Sequence, residues 1–384
     1  MLRFLTAGES HGPALTCIVE GLPAGLNFTE EGLGDELARR RLGFGRGRRM
    51  KIERDELELL GGVRFGATLG GPVSVVIRNT EWPKWQEEMS PHPGGEARRR
   101  MTTPRPGHAD LVGMVKYDTH DARDILERSS ARETAARTVA GYAAKQLLGE
   151  IDVSIVSHVV AIGSVEAPDG VIPGPDEHER VDASPVRCLD EAASEAMVAE
   201  IEAAHADRDT LGGVVEVVVH GLPEGVGSHV HWDRRLDARL AGALMSIQAI
   251  KAVEVGDGLE TARRRGSAAH DEITYEAGSF SRTTDRAGGI EGGMATGQPI
   301  RVRAAMKPLS TLMRPLRTVD VDTKEPDKAF RERTDTCAVP AAGIVAEQMV
   351  AIVVAQEVQR MFGGDTAGDL RRSVEGYRKR LSEF

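Results

Sequence analysis

The order in which strand-forming and helix-forming segments follow one another limits the folds open to this chain of 384 residues more than any other feature. Residues 72–77, 153–162 and 299–304 are rich in β-branched side chains and read as strands. Ser130-Ala-Arg-Glu133 fits a capping box, and it opens an alanine-rich helix that runs to about Leu148. A second helix covers residues 190–206, and a third starts near Pro340, well suited to a first helical turn, and ends near Met361. These segments do not alternate regularly. Neither a doubly wound sheet nor an eight-fold barrel is indicated, and the pattern predicts an α+β architecture.

One long-range echo stands out. TCIVEGLPAGL (16–26) and VEVVVHGLPEGV (215–226) share a strand-like run ending in Gly-Leu-Pro-x-Gly. Each precedes an expected helix, beginning near Thr29 and near Asp233, so that residues 16–42 and 215–246 form candidate repeats within a single domain, 1–384. Chance recurrence of a common strand–turn unit explains the echo equally well.

Composition narrows the class. Hydrophobic residues make up 40% and charged residues 28%, the balance of a globular chain. No apolar run approaches the roughly 18 residues that a bilayer span needs. The start, MLRFLTAGESHG, shows no basic region followed by a long apolar stretch. Cys17, Cys188 and Cys337 stand far apart without CxxC spacing, which argues against disulfides or zinc and for the cytoplasm.

The charge distribution says more than its sum. The net charge is -10, yet six arginines crowd into residues 39–49 and four more into residues 98–105. Arginine suits phosphate and carboxylate because its planar fork donates two parallel hydrogen bonds. Two such segments in an acidic chain point to a local anion site; a solvated helical face and loop is the plainer alternative.

Several motifs can carry chemistry. In Gly8-Glu9-Ser10-His11-Gly12 the glycines let the backbone turn sharply and expose His11, whose ordinary pKa of about 6.5 suits proton transfer. A histidine in such a turn is often merely structural, and the spacing is not that of a nucleophile elbow. In Arg105-Pro-Gly-His108-Ala-Asp110, Pro106 and Gly107 set a turn that holds His108 near a guanidinium, as an acid for a departing phosphate would be. A loop histidine hydrogen-bonded to Asp110 satisfies the same motif. Residues 127–134 lie at the expected helix start, where free N–H groups make an anion site or simply a capped helix. Gly288–Gly293 and Gly43–Gly47 are glycine-rich loops without dinucleotide-fingerprint spacing. Lys307-Pro-Leu-Ser-Thr311 offers a cation and two hydroxyls, and Arg333-Thr-Asp335 sets a carboxylate beside an arginine. His229-Val-His231 with Asp233, and His120-Asp121, lack the further ligands of a zinc site, so no metal is expected.

Taken together, these segments resemble the chorismate synthase family. GESHG, RRRLGFGRGRRM (39–50), RPGHADLVG (105–113), ERSSARETAAR (127–137), SIQAIK (246–251), GGIEGG, KPLST and RTDTCAVPAAG (333–343) match its signature blocks in order, across nearly the whole chain. RTD stands where the family more often has RSD, a change that keeps the hydroxyl and leaves Asp335 in place.

The resemblance implies a cytoplasmic lyase. It would convert 5-enolpyruvylshikimate 3-phosphate into chorismate and phosphate by an anti 1,4-elimination, with reduced FMN and no net redox change. It implies His11, His108 and Asp335 as catalytic residues. Arg128, Ser129, Ser130, Gln248, Ala249, Gly292, Lys307, Pro308, Leu309, Ser310, Thr311 and Arg333 would hold FMN. Arg40, Arg46, Arg49 and Arg132 would face the substrate or NADPH, the candidate reductant of the flavin. The implied fold is a β-α-β sandwich of two antiparallel sheets with helices outside, assembled as a homotetramer with no nucleic-acid or membrane partner. A flavin oxidoreductase with net hydride transfer would instead consume NADPH one for one with product. A nucleic-acid binder is disfavoured by the acidity and by Phe44 being the one aromatic residue among the arginines.

Overall fold

The structure, a computed structural model, describes residues 1–46, 56–95, 97, 98, 100–276, 278–332 and 334–384. Arg49 and Arg333, both expected at the site, lie outside the described residues. Two antiparallel sheets organise the chain. The first carries β1 (Arg3–Ala7), β2 (Ala14–Glu20), β3 (Glu56–Gly61) and β4 (Val73–Arg78) in the order β1-β2-β4-β3. The second carries β5 (Ser154–Ile162), β6 (Val165–Glu166), β7 (Gly213–His220), β8 (Ile250–Val255) and β9 (Ile300–Met306), in the order β8-β9-β7-β5-β6. The architecture is α+β, as the irregular succession of segments predicts.

The sheets differ in what covers them. In the first, Leu15, Cys17 and Val19 of β2 are buried in alternation, paired through β4 with Val73, Val75 and Ile77. That period of two marks a sheet packed on one face, and Leu5 and Ile18 remain exposed on the other. In the second, the run from Val215 to Val219 is buried throughout, the signature of a strand covered on both faces.

Two helices fill the space between the sheets. α4 (Thr134–Gly149) packs on β1 and β2, α7 (Val339–Phe362) packs on β5 and β7, and the two pack on each other. Both helices are rich in small and apolar side chains all round, which suits an interior position. By length and mean composition α7 could cross a membrane, but Glu347, Gln348, Gln356 and Glu357 interrupt its apolar run. In the fold 94% of its most apolar window is buried, so it is a core helix. Around this centre lie α1 (Glu30–Arg39), α2 (Asp110–Tyr117), α3 (Arg123–Ser129), α5 (Glu191–Ala206), α6 (Leu236–Met245) and α8 (Ala367–Ser382).

The two Gly-Leu-Pro-x-Gly segments take the same course. Gly21 and Gly221 adopt φ of +78° and +77°, and a Cβ on either would lie 2.4 Å from a carbonyl oxygen, of Met1 and Asp152 respectively. Only glycine fits there. The first segment leads into α1, capped by Thr29; the second leads through a 3₁₀ turn at Trp232–Arg234 into α6, three residues later than expected.

The capping box forms by half. Ser130 Oγ accepts from Arg132 N–H at 3.3 Å and caps a 3₁₀ turn, Ala131–Glu133, while α4 begins one residue later. Glu133 does not reach back, because Thr6, Arg137 and Gln248 all donate to its carboxylate. Glu127, Arg128 and Ser129 end α3 instead of opening a helix.

Candidate active site

β1 runs into Gly8, whose φ of +101° and lack of a side chain let the chain fold back against Ala14. The turn is pinned at Ser10, whose N–H donates to the Glu127 carbonyl at 3.1 Å and whose carbonyl accepts from Asn79 Nδ2 at 2.8 Å. His11 then sits over the end of α3. Its backbone N–H donates to Glu127 Oε2 at 2.7 Å, and its Nδ1 lies 2.9 Å from Glu127 Oε1. Burial works against a charge on Glu127, yet hydrogen bonds from His11 and Arg123 outweigh it and hold this carboxyl below the usual range. A carboxylate only accepts, so Nδ1 of His11 carries the proton and Nε2 is the nitrogen left for chemistry. Arg123 Nη1 donates to Glu127 at 2.7 Å and its guanidinium lies 4.8 Å over the Trp85 ring, which in turn stacks 4.0 Å from the His11 ring.

His108 is mounted with the same parts. Its Nδ1 contacts Asp110 Oδ1, and Asp110 also accepts from the Arg105 backbone N–H at 3.0 Å and from Arg105 Nε at 2.8 Å. Asp110 is fully buried; against that burial, hydrogen bonds from His108 and Arg105 lower its carboxyl to about 2. The Arg105 guanidinium lies 4.6 Å over the Phe330 ring and donates to Thr311 Oγ1 at 2.8 Å. Lys307 Nζ closes the loop by donating to the Gly107 carbonyl at 2.8 Å. Burial and the nearby Lys251 hold this ammonium below the ordinary lysine value.

Glu332 joins the two assemblies, 3.3 Å from Arg123 and 4.0 Å from Arg105. It lines a cavity of about 1370 Å³ together with His11, Trp85, Arg123, Ser130 and Phe330. Among the described lining residues acidic and cationic side chains are equal in number, so its wall is not the purely cationic surface that the arginine clusters suggest. The arginines are spread out instead. Arg39 enters a buried network with Glu36, Asp182 and Glu347, Arg98 meets Glu87, and Arg100 pairs with Asp322 at 2.7 Å. A guanidinium removed from water needs a counter-charge close by, and Arg39 has three carboxylates within reach.

The remaining expected residues fall into groups. Arg128 donates to the carbonyls of Thr6 and Gly8 at 2.9 and 3.3 Å. Ser130 Oγ donates to Ser10 Oγ at 3.2 Å on the cavity wall, whereas Ser129 Oγ is turned back onto the Ile125 carbonyl of its own helix at 3.0 Å. Gln248 donates to Glu133 at 3.3 Å and keeps a buried Oε1 with no hydrogen-bond partner. Ala249 holds a left-handed φ of +69°, and its carbonyl accepts from Lys307 N–H at 3.0 Å, which brings SIQAIK beside KPLST. In that loop Leu309 offers its carbonyl to Thr210 at 2.8 Å. Gly292 has φ of +58°, and a Cβ there would meet Met294 Cε at 3.9 Å, an ordinary contact. Arg46 pairs with Asp335 at 3.0 Å, because Gly45 docks beside the start of α7 through a bond from Thr336 N–H to its carbonyl at 3.0 Å. Arg40, at the end of α1, is 5% exposed. Arg40, Arg46, Arg132, His108 and Asp335 do not line the large cavity.

Glu127, Arg123, Trp85, Phe330 and Glu332 were not singled out from sequence. A signal existed for one pair: Arg123 and Glu127 stand four apart on a helix, the spacing of neighbours on one face. Nothing in the chain order announces that His11 meets them.

Comparison with known proteins places this geometry. The family model of chorismate synthase matches residues 2–359. The chorismate synthase of Frankia casuarinae is 62% identical over 393 residues, covering 99% of each chain. That of Acidothermus cellulolyticus is 62% identical over 385 residues, covering 98% of each. A crystal structure of chorismate synthase superimposes with a TM-score of 0.81 at 39% identity, over 100% of this chain and 99% of the other.

Proposed function

The chain belongs to the chorismate synthase family, and from that premise we propose that its two carboxylate-mounted histidines carry the proton transfers of the family's reaction. That reaction is a 1,4-elimination that turns 5-enolpyruvylshikimate 3-phosphate into chorismate, the last step of the shikimate pathway, and the enzyme is a carbon–oxygen lyase. The C–O bond to phosphate breaks, phosphate leaves with the electron pair, a C–H bond four atoms along gives up its hydrogen, and a new double bond forms. When bound, reduced FMN supplies a transient electron that eases the loss of phosphate and is returned at the end.

The residues divide the remaining work. His108, steadied by Asp110 and Arg105, donates a proton to the departing phosphate. His11, with Nδ1 committed to Glu127, holds or moves a proton at Nε2 beside the flavin. Asp335, paired with Arg46, takes part in returning the substrate's proton to solvent. The donor set fits a flavin phosphate and a flat ring. Arg128, Ser130 and Lys307 offer a cation, a hydroxyl and an ammonium, and the unpartnered Gln248 Oε1 is an acceptor for a ring N–H. Ala249, Gly292, Pro308, Leu309, Ser310, Thr311 and Arg333 complete this reading by resemblance, and Ser129 joins it through its backbone, since its hydroxyl is bonded to the Ile125 carbonyl. Arg40, Arg46, Arg49 and Arg132 would meet the substrate's phosphate and carboxylates, or NADPH. The same reading makes the protein a cytoplasmic homotetramer, each chain a single domain. A buried carboxylate at Nδ1 of both histidines is the observation that carries the catalytic assignment.

Anaerobic incubation with 5-enolpyruvylshikimate 3-phosphate and dithionite-reduced FMN tests it. Inorganic phosphate should appear over many turnovers per flavin, with no NADPH consumed in proportion. No phosphate from folded protein, or NADPH oxidised one for one with product, would overturn the reading.

A further inference from the structure

We propose that Glu127 is the positioning residue of His11: it fixes which ring nitrogen carries the proton and points Nε2 at the cavity. The inference rests on the catalytic reading of His11 given above and adds the group through which that histidine is made effective.

Three observations support it. Glu127 holds His11 at two atoms, the backbone N–H at 2.7 Å and Nδ1 at 2.9 Å, so the ring and the turn that bears it are fixed by one carboxylate. The carboxylate is itself held, 2% exposed and 2.7 Å from Arg123 Nη1. Trp85 closes the ring of contacts, with Arg123 over one part of it and His11 against another, and both His11 and Trp85 line the large cavity. Each of the four groups touches the next, and among the described residues none bonds to the second ring nitrogen of His11.

The chemistry follows from the geometry. A neutral imidazole has one donor and one acceptor nitrogen, and solution leaves both tautomers populated. A charged acceptor buried beside Nδ1 removes that choice. Nε2 then presents its lone pair, or its proton when the ring is charged, in one fixed direction. Glutamine at position 127 has nearly the same volume but no charge, and its amide can present either an oxygen or an NH₂ group to Nδ1. The tautomer preference weakens while the packing survives.

Glu127→Gln should lower kcat about 100-fold and leave KM for the phosphorylated substrate within about twofold, the pattern of a lost transition-state contribution. Glu127→Asp, which keeps the charge, should recover about tenfold of that loss. In the His11→Ala background Glu127→Gln should change kcat by less than about twofold, because a positioning residue has nothing left to position. Ring-¹⁵N spectra of His11 in the unliganded protein, assigned by their loss in His11→Ala, should show a proton on Nδ1 in the wild type and mixed tautomers in Glu127→Gln. Wild-type kcat in Glu127→Gln, an undiminished loss in the His11→Ala background, or a wild-type proton on Nε2 alone would each overturn the proposal. Should Glu127→Gln fail to fold, the wild-type spectrum decides alone. Full turnover in His11→Ala would sink the catalytic reading of His11 itself, an outcome distinct from all of these.

Discussion

His108 takes its carboxylate from Asp110, two residues on at the start of α2, whereas His11 takes one from the end of a helix 116 residues further on. In other respects the two mounts repeat one plan. Each ring has Nδ1 on a buried carboxylate, each carboxylate sits on a buried arginine, and each arginine lies over an aromatic ring, Phe330 or Trp85. Glu332 touches both arginines and ties the mounts into one chain of alternating charge. The difference lies in what each mount reports. The His108 mount depends on a short loop that also binds Lys307 and Thr311; the His11 mount exists only where β1, α3 and the Trp85 turn have come together. Loosening of the first sheet should disturb His11 before His108.

The comparison breaks first if either ring is dispensable. His108→Ala and His11→Ala should each lower kcat by about 10²- to 10⁴-fold, with FMN binding retained by fluorescence titration. Unchanged turnover in one variant would remove that residue from the chemistry. Next comes the charge beneath the ring. Asp110→Asn leaves Arg105 buried beside Glu332 alone, and urea unfolding should show a loss of about 3 kcal/mol. A loss under about 1 kcal/mol would mean that water reaches the guanidinium freely.

Acid sharpens the contrast further. The Asp110 carboxyl is lowered from 3.8 to about 2, so its contribution to stability is complete above about pH 4 and disappears as pH falls toward 2. That contribution is about 2 kcal/mol, and Asp110→Asn should flatten the corresponding part of the stability–pH curve. Glu127 is shifted in the same direction and should add to the acid limb. The smallest effect separates two adjacent hydroxyls beside the His11 mount. Ser130→Ala should weaken FMN binding about tenfold, whereas Ser129→Ala, whose hydroxyl is spent on Ile125, should change it by less than about twofold. Equal losses would show that Ser129 turns outward when flavin binds.

Legibility in the sequence followed the distance between interacting residues. The strands at 72–77, 153–162 and 299–304 and the helices beginning at Asp190 and Pro340 are visible because side-chain periodicity and end signals act within a few residues. The Ser130 cap went half wrong for a related reason. The serine's bond is local and formed, but Glu133 was drawn away by Thr6 and Gln248, partners that no four-residue pattern contains. Where each arginine ends up was not legible: crowding along the chain does not show that folding puts Arg39 in the core with Glu347, Arg46 on Asp335 and Arg105 on Asp110.

By itself the sequence determined the α+β class, the elements whose periodicity is unbroken, the His108–Asp110 pair and the order of signature blocks that marks the family. The tertiary structure alone decided which two helices lie between the sheets, that Glu127 and Trp85 meet His11, and that Glu332 couples the two arginines. The physical reason is the range of the forces involved. Backbone hydrogen bonding and capping act over a few residues, whereas a buried charge is satisfied by whichever opposite charge the packed core brings within a few ångströms.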